Sequence, residues 1–89
     1  MNLAILDSCS RGRLDIAREL FTMGAKVDDQ DEDGTQPLHI ACVKGHLKVA
    51  KWLYSMGAKV DAESKDGSQP LHFACTGGHL EIAKWLHSV

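Results

Sequence analysis

The chain has 89 residues, enough for one small core and no second domain. Ten Lys and Arg against twelve Asp and Glu leave a net charge of −2, which excludes a polybasic nucleic-acid or membrane-surface binder. With 44% hydrophobic and 25% charged residues the composition is that of an ordinary globular domain, and no apolar run approaches the roughly 18–20 residues of a membrane span. The N-terminus, Met1 to Asp7, has no basic segment and meets an acid too early for a signal peptide. A cytoplasmic, reducing environment is the expectation.

A period governs everything that follows. Gly34, Pro37, Leu38, His39, Ala41, Cys42, Gly45, His46 and Leu47 recur 33 residues later as Gly67, Pro70, Leu71, His72, Ala74, Cys75, Gly78, His79 and Leu80. Between Asp31–Met56 and Ser64–Val89, 16 of 26 positions are identical, too many for coincidence. The same shift backwards finds a weaker copy, in which Cys9, Gly12, Leu14, Ala17, Leu20 and Met23 to Asp28 have counterparts in the middle copy. One domain of three units is predicted, at about residues 1–30, 31–63 and 64–89.

In chain order, the first unit has Ala4-Ile5-Leu6 where the others have Pro-Leu-His, and no turn-rich segment precedes it. The second is the most legible. Pro37 sits at a first helical position, where its missing N–H costs nothing. Leu38, Ala41 and Cys42 then follow at i, i+3 and i+4 on one face, and Gly45 stops this short helix. Leu47, Val49, Ala50, Trp52, Leu53 and Met56 form a broader apolar face on a second helix, which Gly57 closes. From Ala58 to Ser68 the chain is polar and turn-forming, with Asp66-Gly67 near its end. The third unit repeats this plan and stops at Val89, where the earlier copies continue as Gly-Ala. That stop suggests a fragment of a longer array, with apolar surface near Phe73 or Trp85 less covered than in an inner unit.

Pro37-Leu38-His39-Ile40-Ala41, Gly45-His46-Leu47, Gly57-Ala58 and the Asp-Gly turn resemble the ankyrin repeat, as do their copies. The resemblance spans essentially the whole chain. It implies an all-α repeat solenoid of helix-turn-helix units with β-hairpin-like fingers, each unit held by its neighbours. It also implies that the His after Pro-Leu is structural and bonds neighbouring turns. Gln36 and Gln69 depart from the family, which usually has Thr there as a cap. Gln is a poor N-cap, so about 1 kcal/mol per helix start is expected to be missing.

Several groups suggest chemistry, and each has a plainer explanation. Cys9, Cys42 and Cys75 recur at one position of helices expected to pack about 8–10 Å apart, too far for a disulfide, so buried free thiols are predicted. His39 with Cys42, and His72 with Cys75, imitate a catalytic dyad or metal ligands. The pair is duplicated, however, and Leu6 replaces the His in the first unit while Cys9 remains. Asp29, Asp31, Asp33 and Gly34 copy the first half of a calcium loop, but the position that needs a bidentate Glu is Ile40. Trp52 is expected in the core, and Trp85 less fully so.

No catalytic, cofactor-binding or metal-binding residues are therefore assigned, and the chain is predicted not to be an enzyme. The resemblance implies a protein–protein interaction module that meets its partner with fingertips and the concave face of the short helices. Carried over by position, that surface is Ser10 and Arg11; Gln30, Glu32, Asp33, Thr35, Val43 and Lys44; then Glu63, Lys65, Asp66, Ser68, Thr76 and Gly77. Asp28, Asp29, Asp31, Glu32 and Asp33 crowd the first finger, so a partner with a basic patch is expected there. Neither nucleic acid nor a membrane is expected as a partner, and the chain is expected to be a monomer with weak end-to-end association. The alternative is a spacer or docking segment of a larger multidomain protein, including an enzyme whose catalytic domain lies elsewhere.

Overall fold

A computed structural model describes residues 3–89, and among them there are six helices and no strand. They are α1 (Leu3–Ser10), α2 (Leu14–Thr22), α3 (Pro37–Lys44), α4 (Leu47–Ser55), α5 (Pro70–Gly77) and α6 (Leu80–Ser88). The short helices form one layer, with α3 packed between α1 and α5, and each is backed by the helix that follows it.

Local chemistry sets these boundaries. Gln36 is extended (φ −99°, ψ 167°), as a residue before proline should be, and Pro37 then starts α3. Gly45 ends it at φ +83°, in the left-handed region that favours glycine. The expected weakness at the glutamines is offset from an unforeseen direction. The imidazole three residues into each helix turns back, so that His39 Nδ1 accepts the Gln36 N–H at 2.9 Å and His72 Nδ1 accepts that of Gln69 at 2.9 Å.

The core runs between the layers through Ile5, Leu38, Val49, Leu53 and Ile82, with Ala17, Ala41, Ala50 and Ala74 where backbones approach closely. Each large aliphatic side chain there contributes about 1.5–3 kcal/mol by leaving water. Three expectations need correction. Met56 is exposed, because the second-helix face turns out of the core before its last residue. Cys75 is exposed while Cys9 and Cys42 are buried, because among the described residues no helix pair covers the outer side of α5. The same face uncovers Leu71 at 41% and Leu80 at 64%, whereas the equivalent Leu38 is 1% exposed. Phe73 and Trp85, near which less cover was expected than in an inner unit, are half-buried, as are their counterparts Ile40 and Trp52. Phe73 lies against the His39 ring at 4.7 Å and Trp85 meets Tyr54 edge-on at 5.7 Å. Trp52 is likewise half-buried and meets Phe21 edge-on at 5.8 Å.

Candidate interaction surface

The segments between helix pairs end in tight turns. In the first, the Asp31 carboxylate accepts the N–H groups of Asp33 and Thr35 at 2.8 and 3.0 Å, while the Asp31 N–H donates to the Thr35 carbonyl. The second has the same closure, Ser64 N–H to the Ser68 carbonyl at 2.9 Å, with Asp66 accepting from the Ser68 N–H and the Ser64 hydroxyl. That hydroxyl, first, and then Ser68 hold the Asp66 carboxyl below its ordinary value. Neighbouring turns are tied by Lys65 N–H donating to the Asp33 carbonyl at 2.9 Å. The fingers are thus hairpin-like turns without strand pairing along their length. Of the carboxylates that imitate a calcium loop, Asp29 and Asp31 face their own backbone, with Asp29 Oδ2 accepting the Lys26 N–H at 3.0 Å. Among the described residues no group of three or more His, Cys, Asp or Glu is placed to hold a metal.

At the far end of the short helices a second tie repeats with the period. His46 Nε2 donates to the Ser10 carbonyl at 3.0 Å, and His79 Nε2 donates to the Val43 carbonyl at 3.0 Å. Each imidazole lies over a glycine of the preceding pair. A Cβ on Gly12 would sit 2.7 Å from His46, and one on Gly45 would sit 2.5 Å from His79. Gly77 has a similar duty, since a Cβ there would collide with the Val43 carbonyl. The glycine–histidine pairing is therefore an interlock between successive helix pairs. Arg13 occupies the histidine position of the first pair and instead reaches Asp15 at 3.5 Å on the surface.

His39 is fully buried and both its nitrogens are engaged. With Nδ1 accepting from Gln36, the proton resides on Nε2, which donates to the Ala62 carbonyl at 2.8 Å. Burial depresses its pKa, against the raising effects of Ala62, Asp31 and Asp66. Burial also pushes the Cys9 and Cys42 thiols up to about 12. A base with no free nitrogen beside a thiol that resists ionisation has neither half of a nucleophilic dyad.

None of the residues assigned to the interaction surface is buried. Arg11, Gln30, Glu32, Asp33, Lys44, Glu63, Lys65, Asp66, Thr76 and Gly77 are exposed, and Ser10, Thr35, Val43 and Ser68 are half-buried. Arg11 is partly engaged, with its guanidinium 3.1 Å from Asp7 one helical turn back. Sequence reasoning did not foresee that the carbonyls of Ser10 and Val43 are taken by histidines of the next pair. The recurring Gly-His dipeptide was the signal that could have revealed it.

Stacked helix pairs, joined by period-matched ties and projecting tight turns, define a helical repeat solenoid. The chain matches ankyrin repeats, three copies, over residues 5–88, and belongs to that family. Ankyrin repeats are generally protein–protein interaction modules and are typically non-catalytic. Comparison with the curated proteins found no match. No helix among the described residues is long and apolar enough to cross a membrane.

Proposed function

We propose that this chain is a non-catalytic binding module that engages a protein partner with its fingertips and the ends of its short helices. The observation that carries the reading is the cross-bracing of this surface. One row is fixed by Lys65 on Asp33, and the other by His46 on Ser10 and His79 on Val43. Side chains held on such a frame lose little freedom on binding, so more of the contact energy appears as affinity. The first finger exposes Glu32 and Asp33 beside the half-buried Asp31, a local negative field suited to a Lys- or Arg-rich patch.

The test is paired capture from a cell extract on the wild-type chain and on Glu32→Lys with Asp33→Lys. Both positions are exposed, so the melting temperature should barely change, within about ±0.5 kcal/mol of stability. Proteins held by the wild type should be depleted on the variant, and their capture should weaken with salt. Capture of the same proteins undiminished by charge reversal would move the interface off this finger.

A further inference from the structure

Cover is not shared equally by the helix pairs. Gly34, Leu38, His39 and Cys42 are buried and Gly45 and Leu47 half-buried, yet their counterparts Gly67, Leu71, His72, Cys75, Gly78 and Leu80 are all exposed. A Cβ on Gly45 would strike the His79 ring, whereas one on Gly78 would meet nothing within 4 Å, so the histidine seat there is open. Beside Gly78 lies a hollow of about 260 Å³, lined also by Ala74, Cys75, Leu80 and Ala83, and Leu80 is 64% exposed. None of the positions that lose cover carries Asp, Glu, Lys or Arg. Of the residues assigned to the interaction surface, only Thr76 loses cover with them.

The end formed by α1 and α2 is built differently. The third pair meets the second with Phe73 on His39, His79 on the Val43 carbonyl and Trp85 against Tyr54. Two periods earlier these positions hold Asp7, Arg13 and Glu19, all exposed. A copy joined head-to-tail would bury those charges against a face that offers none in return, and their desolvation opposes it. The α5–α6 face can instead complement itself. His72 Nδ1 accepts the Gln69 N–H, so Nε2 carries the proton, and this donor has no partner among the described residues. The Thr76 carbonyl, equivalent to the Val43 carbonyl that takes His79, is an acceptor with no imidazole over it. Donor and acceptor stand one turn apart on α5.

We propose that this face is a homodimer interface, in which two copies of the chain meet through their α5–α6 ends about a two-fold axis. Leu80 of each copy lodges in the hollow of the other, Leu71 and Cys75 leave water, and each His72 donates to the Thr76 carbonyl of the other copy. The contact is isologous and the opposite ends stay charged, so assembly closes at two. The face falls short of the roughly 20–30 residues a side of a stable interface, so the dimer is weak.

The test is sedimentation equilibrium of the whole chain under reducing conditions, from about 20 μM to about 0.5 mM, where a weak interface becomes populated. The mass should rise from 9.7 kDa toward twice that value and no further. Leu80→Glu should weaken association about tenfold or more. It should leave the melting temperature of the dilute protein unchanged, because the position is exposed and an acid suits the first residue of α6. Glu32→Lys with Asp33→Lys should leave association unchanged, which separates this face from the fingertips. Amide signals that move on dilution should belong to residues 67, 71–72 and 75–80, with α1 and α2 silent. A particle of 9.7 kDa at every concentration overturns the proposal and leaves this face to a helix pair of another protein. A mass that climbs past the dimer, insensitivity to Leu80→Glu, loss on reversing the fingertip charges, or dilution shifts on α1 and α2 would overturn it as well.

Discussion

At the scale of single residues, three cysteines in equivalent sequence positions have different chemistry because of what covers them. Cys9 and Cys42 are buried with thiols near 12, so almost no thiolate is present at neutral pH. Cys75 is exposed. A thiol-specific reagent at pH 8 should therefore modify Cys75 quickly in the native protein, and Cys9 and Cys42 only after denaturation. Fast native reaction at Cys42 would mean that α3 is not covered as described. His39 gives a second residue-scale expectation. Its folded pKa lies below the ordinary 6.5, so below that pH the unfolded chain binds the proton more readily than the folded one. Stability should fall as pH drops from about 7 through 6.5, and His39's part of the slope should end below its own depressed pKa. His39→Leu, which imitates Leu6 of the first pair, should lower stability at pH 7 through the two unpaired backbone groups, yet flatten that slope. Thermal melts of both proteins at pH 7, 6 and 5 measure this.

At the scale of elements, the helices were legible because their punctuation is chemical. Pro37 and Pro70 open helices, Gly45 and Gly78 end them at positive φ, and the second helices bury Val49, Ala50 and Leu53 or Ile82 and Leu86. What could not be read was which period-matched residues lack a neighbour. Leu38 and Leu71 are identical in sequence and opposite in burial, since burial here depends on the adjoining helix pair and not on local pattern. The role of His46 and His79 was also hidden, because the recurring Gly-His dipeptide marks the position but does not say which carbonyl, 36 positions away, each imidazole meets. Two glycines test the interlock. Gly45 and Gly67 share a left-handed backbone, at φ +83° and +84°, but only Gly45 has an imidazole over it. Gly67→Ala should cost about 1 kcal/mol from backbone strain alone. Gly45→Ala carries that strain and must also displace His79 from Val43, so denaturant melts should show a clearly larger loss. Equal losses would mean that the glycine–histidine tie contributes nothing.

At the scale of the molecule, the ties that hold the stack together also hold the candidate binding rows, while the side chains on those rows point outward. Of the candidate surface, the fingertip acids were legible as a charge run. The helix-end positions were legible only through the family resemblance, since Val43, Lys44, Thr76 and Gly77 share no chemistry that would single them out. Folding and binding are thereby separable, with the frame set by the core and by ties to backbone carbonyls, and the contacts by exposed side chains. The most direct measurement is an amide-shift map of the isotope-labelled chain titrated with a partner recovered by wild-type but not charge-reversed capture. The expected result is a pattern of shifts along residues 10–11, 30–35, 43–44, 63–68 and 76–77, with the outer faces of α2, α4 and α6 unaffected. Shifts confined to those outer faces, with the fingers silent, would contradict it.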